Sequence, residues 1–147
     1  MSKTISKKMG ALNAWLELYK ASTLINKKTI TELSSVKITL PQFFVLDALV
    51  KNGEMNVGQL CETMYVSGGN LTLVLDNLQK MNYVERTINK QDRRSLNVKL
   101  TKEGKKAYDK ASPVQEKAIS TIFSVLTVDE LKKLTSTLAK LSDAVSK

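Results

Sequence analysis

The sequence predicts a mainly α-helical fold that carries one small β-hairpin. Apolar residues recur at helical spacing over most of the 147 residues, and side chains that cap helix N-termini stand before several of these segments. One stretch, residues 83–100, instead has the alternation and β-branched residues of two strands around a polar tip. Hydrophobic residues make up 42% of the chain and charged residues 25%, as expected for one folded domain.

Two helices are predicted first. Apolar residues at helical spacing place a long first helix over residues 6–33. The second begins at Thr39, which has Gln42 at the capping-box position and Pro41 in the first turn, where its missing N–H costs little. The second helix is expected to stop at Asn52, which precedes a glycine.

The next two helices are shorter. The third begins at Asn56 and carries Cys61 beside apolar neighbours. Ser67 is the predicted N-cap of the fourth, which ends near Met81, with Asn82 in the left-handed position that follows a helix. The apolar positions of the fourth helix share one face: Leu71, Val74, Leu75 and Leu78.

A hairpin and two further helices complete the chain. Residues 83–88 and 95–100 are the predicted strands, and their connection is polar and basic. Thr101 caps a fifth helix, which Pro113 is expected to kink or break. A capping box at Thr127 starts the last helix. Its narrow apolar stripe predicts a helix–helix seam, either in a dimer or within the chain: Leu131, Leu134, Leu138, Leu141 and Val145.

The order of these elements is that of a winged helix–turn–helix, in which three short helices precede a two-stranded basic wing. The long first and last helices flank it. The sequence therefore predicts one domain over residues 1–147. Its winged helix–turn–helix lobe spans residues 39–101, and the helical regions 1–38 and 102–147 lie on either side.

Composition excludes several functions. Histidine is absent and Cys61 is the only cysteine, which excludes Ser-His-Asp and Cys-His catalysis, Cys/His zinc sites and an internal disulfide within one chain. Carboxylate or lysine chemistry stays open, but the composition does not favour it, and we expect no enzyme, cofactor or metal. No apolar run approaches the roughly 20 residues that span a bilayer, and the N-terminus lacks the apolar core of a secretory signal. We therefore expect a cytoplasmic protein that does not associate with a membrane.

The charge balance favours a polyanionic partner. The chain has 23 lysines and arginines against 14 acidic residues, a formal net charge of +9. Between Arg86 and Lys106 there are eight basic residues and only two acidic ones. Nucleic acid or an anionic membrane would bind such a surface, although a solvated lysine-rich surface has the same charge.

The residues around the hairpin resemble a known family. The run from Asp92 to Gly104, DRRSLNVKLTKEG, closely resembles the wing signature of MarR-family transcriptional regulators. The stretch that begins at Ser67, SGGNLT, resembles the recognition helix of that family, and residues 39–49 resemble its second helix. The resemblance extends over essentially the whole chain.

The resemblance implies a single MarR-like domain. Its helical dimerisation region would consist of residues 1–38 and 102–147. The apolar stripe on the last helix would then pack between the two chains of a dimer. Such proteins are usually homodimeric repressors, released by a small anionic or phenolic ligand or by thiol oxidation. The chain departs from the pattern at Leu73, where many members have a basic residue. It also lacks the first-helix cysteine of the peroxide-sensing branch.

The predicted DNA contacts lie at the start of the fourth helix and at the hairpin tip. That helix has no basic residue before Lys80, which excludes arginine readout of guanine there. Asn70 can pair with adenine and Leu73 can contact a thymine methyl, so A·T-rich steps are expected. A tip arginine suits a narrow A·T minor groove, or it could pair with Asp92 inside the wing. The resemblance implies that Arg93 and Arg94 share these two tasks, which are contact with the minor groove and pairing with Asp92. The predicted contacts are Ser67, Gly68, Gly69, Asn70, Thr72, Leu73, Lys90, Arg93 and Arg94.

A pocket for an effector is expected between the dimerisation helices and the lobe. Its candidate residues are apolar and could equally be ordinary core: Leu12, Trp15, Leu16, Tyr19, Phe43 and Phe44. The predicted function is a sequence-specific, ligand-responsive repressor that binds a pseudo-palindromic operator as a homodimer. The alternatives are a redox-responsive regulator acting through Cys61, a non-specific architectural DNA-binding protein, or an enzyme or protein-interaction module. Within the main class an activator or anti-silencer is also possible.

Overall fold

A computed structural model describes residues 6–146, so the first five residues of the segment on which the secretory-signal prediction rests lie outside the described residues. The elements, in chain order, are α1 (Lys7–Ser34), α2 (Leu40–Asn52), β1 (Met55–Asn56), α3 (Val57–Met64), α4 (Gly68–Lys80), β2 (Val84–Ile88), β3 (Leu96–Leu100), α5 (Lys102–Phe123) and α6 (Val128–Val145). The predicted mainly helical fold with a small wing is confirmed.

Side-chain caps set most helix starts, as predicted. Reciprocal capping boxes form at Thr39, Asn56 and Thr127, each with the residue three positions later. Ser67 holds the N-cap position of α4, but its hydroxyl makes no capping hydrogen bond. The first N–H groups of α4 therefore lack the side-chain partner that the other caps supply.

The wing is part of a three-stranded antiparallel sheet in the order β1-β3-β2. The predicted hairpin is confirmed, with Val84 opposite Leu100 and Ile88 opposite Leu96. The third strand, β1, pairs Met55 with Val98 and was not predicted. Two residues are too few to show a strand alternation in the sequence.

Pro113 lies inside α5, which runs unbroken from Lys102 to Phe123, so of the predicted kink or break the break does not occur. A proline removes one backbone N–H and crowds the preceding turn. Ala111 and Ala118 are buried on either side of it, and α5 packs against α1 and α2. We infer that this packing offsets the cost of the proline and keeps the helix continuous.

The core lies in the lobe, between α2, α3, α4 and the sheet. Leu71, Leu75 and Leu78 of α4 are buried and Val74 is half-buried, which confirms the predicted inner face of that helix. The other fully buried side chains of this core are Leu33, Val45, Leu46, Leu60, Val84 and Val98. The opposite face of α4 is thereby directed outward.

The two terminal helices leave apolar side chains at the surface. None of the residues of α6 is buried, and Leu134, Leu141 and Val145 of its stripe are exposed, while Leu131 and Leu138 are half-buried. The N-terminal half of α1 is likewise exposed. Within residues 6–146, no helix combines the length and apolar character needed to cross a membrane.

Candidate nucleic-acid interface

The N-terminal half of α4 presents an open, uncharged surface. All six residues that the sequence predicts on this helix are exposed: Ser67, Gly68, Gly69, Asn70, Thr72 and Leu73. Leu73 is 65% exposed, unusual for a leucine of a packed helix. A β-carbon built on Gly68 or Gly69 would meet no atom within 4 Å, so the approach to this helix end is clear.

The two hydroxyls on this surface differ in their availability. The Thr72 hydroxyl donates to the carbonyl oxygen of Gly68 at 2.8 Å, so its proton is already used within the helix. Its oxygen keeps lone pairs that can accept a hydrogen bond. The Ser67 hydroxyl is not engaged in capping. Of the two, Ser67 is the better donor to an incoming phosphate.

The wing tip is held by hydrogen bonds to its own backbone. Asn89 Oδ1 accepts from the N–H groups of Gln91 and Asp92. Asp92 Oδ1 accepts from the backbone N–H of Arg94 at 3.0 Å, and the N–H of Ser95 donates to the Asp92 carbonyl at 2.9 Å. The tip therefore has a defined shape that does not depend on arginine side chains.

The hydrogen bonds of the tip bear on the alternative role of the wing arginines, which is an ion pair with Asp92. The Asp92 carboxylate binds the backbone of the tip, and no ion pair joins it to Arg93 or Arg94 in the described part of the chain. Lys90, Arg93 and Arg94 are all exposed and carry no salt bridge among residues 6–146. The tip thus presents three cations to solvent.

Arg86 plays a different part, which sequence reasoning missed. Its guanidinium binds the carboxylate of Asp76 at 2.6 Å and the side-chain oxygen of Gln79, both on α4. Arg86 is 21% exposed and Asp76 is 41% exposed, so the pair is only partly screened by water. It fixes β2, and with it the wing, relative to the recognition helix. The local signal for this contact is that Asp76 and Gln79 are three residues apart and therefore lie on the same face of α4.

The base of the wing is tied to the start of α5. The Thr101 hydroxyl donates to the carbonyl of Asn82 at 2.6 Å, and the Thr101 N–H donates to the carbonyl of Tyr83 at 3.1 Å. Asn82 has the predicted left-handed conformation, with φ of 59°. Gly104, in the first turn of α5, is buried directly against the Tyr83 carbonyl. Thr101 and Gly104, two residues of the family-like run, are therefore structural.

A cleft separates the wing from the helices. It has a volume of about 340 Å³ and mixes cationic with apolar walls. Its lining residues are Val57, Gly58, Thr72, Leu75, Arg86, Arg94, Ser95 and Leu96. A second, wider cleft of about 600 Å³ lies between the end of α3 and the last turn of α6.

The six predicted effector residues fall into two groups. Leu12, Trp15, Leu16 and Tyr19 are exposed along α1, with the Trp15 and Tyr19 rings 6.4 Å apart. Phe43 is buried in α2, and the adjacent Phe44 is 45% exposed. In a single chain the α1 residues form an open face rather than an enclosed pocket.

Phe43 belongs to a small aromatic and polar cluster between α2 and α5. Its ring stacks on Tyr108 at 5.8 Å between centroids, and the Tyr108 hydroxyl donates to Asp47 at 2.9 Å. Asp47 also pairs with Lys51 at 2.7 Å. Burial, reinforced by the hydrogen bond to Asp47, raises the pKa of Tyr108 above its usual range. Because Asp47 and Tyr108 are 61 residues apart, no local pattern could have predicted this contact.

Cys61 is partly buried and packs against the core of the lobe. The described residues contain no group of three or more Cys, Asp or Glu side chains placed to hold a metal ion. The exposed chemistry of the lobe is that of hydrogen-bond donors on α4 and cations on the wing. This combination suits a DNA duplex.

Comparison with known proteins agrees with this arrangement. A model of the MarR family matches residues 38–96. The transcriptional repressor MdtR of Bacillus subtilis is 30% identical over 120 residues, covering 82% of this chain and 77% of its own. The transcriptional regulator SarZ of Staphylococcus aureus is 30% identical over 129 residues, covering 88% of this chain and 84% of its own.

A solved structure gives the same result. A cysteine-to-serine mutant of MarR from E. coli, complexed with operator DNA, superposes with a TM-score of 0.79 at 27% identity. The match covers 92% of this chain and 94% of that one. The chain belongs to the MarR family, and it is a winged helix–turn–helix transcriptional regulator that binds DNA rather than an enzyme.

Proposed function

We propose that this regulator is a homodimeric repressor that binds a pseudo-palindromic, A·T-rich operator in the cytoplasm and is released by a small anionic or phenolic effector. One observation carries the DNA-binding part of the proposal. An uncharged, exposed helix end and a wing tip whose three cations form no salt bridge within residues 6–146 belong to one lobe, in which Arg86 joins β2 to α4.

The uncovered terminal helices support a dimer. Leu134 and Leu141 of α6 and Trp15 of α1 are exposed, although side chains of this size are normally buried in a monomer. Exposed apolar side chains of this size are stable in water when a second copy covers them. A two-fold dimer uses the same face on both chains. We take residues 1–38 and 102–147 as the dimerisation region, with the α6 stripe from Leu131 to Val145 in the contact.

A two-fold dimer sets the form of the operator. Two recognition helices that enter successive major grooves on one side of the duplex lie about one turn apart, roughly 34–36 Å. The operator then reads as two inverted half-sites. In our proposal α4 enters the major groove and the wing cations lie along the adjacent minor groove, where A·T-rich sequence deepens the negative potential.

Asn70 is the proposed base reader. We expect Asn70→Ala to weaken binding to the preferred duplex by about 1–3 kcal/mol and to relax base preference at one position of each half-site. The loss arises because a carboxamide can make two hydrogen bonds to the major-groove edge of adenine, at N6 and N7, whereas alanine can make none. The measurement is a titration against duplexes that vary each position in turn. Asn77→Ala, which changes an exposed asparagine two turns further along α4, is the matched control. An unchanged preference profile in Asn70→Ala would contradict the assignment.

Effector release has two candidate locations. The exposed aromatic face of α1 with Phe43 and Phe44 would become a pocket where a second chain covers it. The wing cleft offers the guanidinium of Arg94 together with the apolar Leu75 and Leu96, a suitable combination for an aromatic anion. Binding at the α1 face would release DNA by favouring a spacing of the two lobes that does not fit the operator. A ligand in the wing cleft would also occupy Arg94 and Thr72, two of the proposed DNA contacts.

Specific observations argue against two other functions. A redox regulator acting through Cys61 needs an accessible thiolate, whereas Cys61 is partly buried against the core. A non-specific architectural protein would bind by phosphate contacts alone. The exposed Asn70 and Leu73, which can contact base edges, favour the sequence-specific regulator.

A further inference from the structure

The turn between α3 and α4 contains a conformational outlier. Tyr65 ends α3 in the left-handed region, with φ of 54° and ψ of 42°. The N–H of Val66 donates to the Cys61 carbonyl at 3.1 Å, and the N–H of Tyr65 donates to the Glu62 carbonyl. These are the hydrogen bonds of a helix C-terminus closed by a left-handed residue, a position that glycine fills at least cost.

Nothing inside the chain compensates for placing a tyrosine there. The Tyr65 side chain is 85% exposed, far more than the other aromatic side chains of residues 6–146. Its neighbour Val66, by contrast, is partly buried and packs against the core. Because the Tyr65 backbone is strained and its side chain gains little packing within residues 6–146, we expect this side chain to contact another molecule.

The position of Tyr65 suggests what that contact is. It lies two residues before Ser67, where the recognition helix begins. The start of α4 has no cation, since its first basic residue is Lys80. Anchoring of this helix end to a phosphate must therefore come from neutral donors such as hydroxyls and backbone N–H groups.

We propose that Tyr65 is a DNA-backbone contact that positions the recognition helix, with its phenol hydroxyl donating a hydrogen bond to a phosphate and its ring packed on the neighbouring sugar. The inference rests on the proposed operator binding and adds a residue to that site. Because Tyr65 is uncharged, it contributes affinity without reading sequence and without releasing a counterion of its own.

The other neighbour of Tyr65 is the end of α6. Tyr65 and Glu62 line the wide cleft that faces Ser142, Val145 and Ser146. Packing against α6 of the same chain would bury the ring, but the ring is 85% exposed in the single chain. The exposed hydroxyl and the adjacent helix start favour DNA as the partner.

The test uses the full chain, the duplex enriched from a random library, and a scrambled duplex of the same length and composition. Tyr65→Phe removes only the hydroxyl and is expected to weaken binding to both duplexes by the same factor, about threefold to tenfold. The slope of log affinity against log salt stays that of the parent, because no charge is lost. Tyr83→Phe, a half-buried tyrosine away from this surface, is the matched control and binds like the parent.

Tyr65→Gly separates function from folding. It is expected to weaken DNA binding more than Tyr65→Phe while the thermal midpoint stays equal to or above that of the parent, since glycine accepts the left-handed conformation. Parent-like binding by Tyr65→Phe would overturn the proposal, and so would a Tyr65→Gly variant that loses stability along with affinity. If the parent itself enriches no sequence, the proposed operator binding fails instead, and the two failures are distinguishable.

Discussion

Gly104→Ala is expected to lower the free energy of unfolding by roughly 2–4 kcal/mol, the largest stability effect that we predict for a single methyl group. A β-carbon at this position would overlap the backbone oxygen of Tyr83. It would also lie 2.8 Å from Leu100 Cδ1 and 2.9 Å from the Tyr83 carbonyl carbon. Two of these three atoms belong to the backbone, so the clash is relieved only by separating α5 from the base of the wing. Equilibrium denaturation by urea measures the change.

A second glycine substitution is the control for helix propensity. Gly69→Ala also places alanine in the first turn of a helix, but no atom lies within 4 Å of the added methyl. Alanine favours the helical backbone over glycine by up to about 1 kcal/mol, so this variant is expected to be as stable as the parent or more so. Equal stability of the two variants would mean that α5 does not approach Tyr83 as closely as described.

Replacing both Arg93 and Arg94 by alanine is expected to produce the largest loss of DNA affinity. Neither guanidinium supports the fold, because the tip is held by Asn89 and Asp92 through the backbone. The variant is therefore expected to keep its thermal midpoint while binding any duplex at least about tenfold more weakly. The slope of log affinity against log salt should shrink by about 0.9 for each arginine that contacts DNA. Fluorescence titration at several salt concentrations gives both quantities.

A charge-matched variant is needed to interpret that loss. Lys132→Ala with Lys133→Ala removes the same two charges from an exposed part of α6 outside its apolar stripe. It is expected to change affinity little, since these charges lie away from the lobe surface. Comparable losses from both double variants would show that net charge, rather than the wing, governs binding. The two single variants then show which arginine contributes more.

The elements that sequence reasoning predicted correctly are those with local signals. Capping residues at Thr39, Asn56 and Thr127 marked helix starts, and the apolar face of α4 was evident from its spacing. The short strand β1 had no such signal because it exists only through pairing with β3. Pro113 was expected to kink or break α5, and the break does not occur, because residues on both sides of it are buried and burial is not visible in the local sequence.

The candidate DNA-binding site was likewise predictable only where its signals are local. The exposed residues of α4 and the cations of the wing follow from periodicity and composition, and the structure places both on one lobe. The Arg86–Asp76 pair and the Tyr108–Asp47 hydrogen bond join residues distant in sequence and were missed. The proposed effector face of α1 stays a prediction, because its exposed side chains need a second chain to enclose them.

The most direct test of the central claim is selection of duplexes from a random DNA library by the full chain at about physiological salt. The account predicts enrichment of an A·T-rich pseudo-palindrome whose half-site centres lie about one turn apart, roughly 10–10.5 base pairs. Binding without enrichment, with affinity that follows salt alone, would contradict it and indicate an architectural protein. The absence of duplex binding would contradict it as well and point to a protein partner for the lobe.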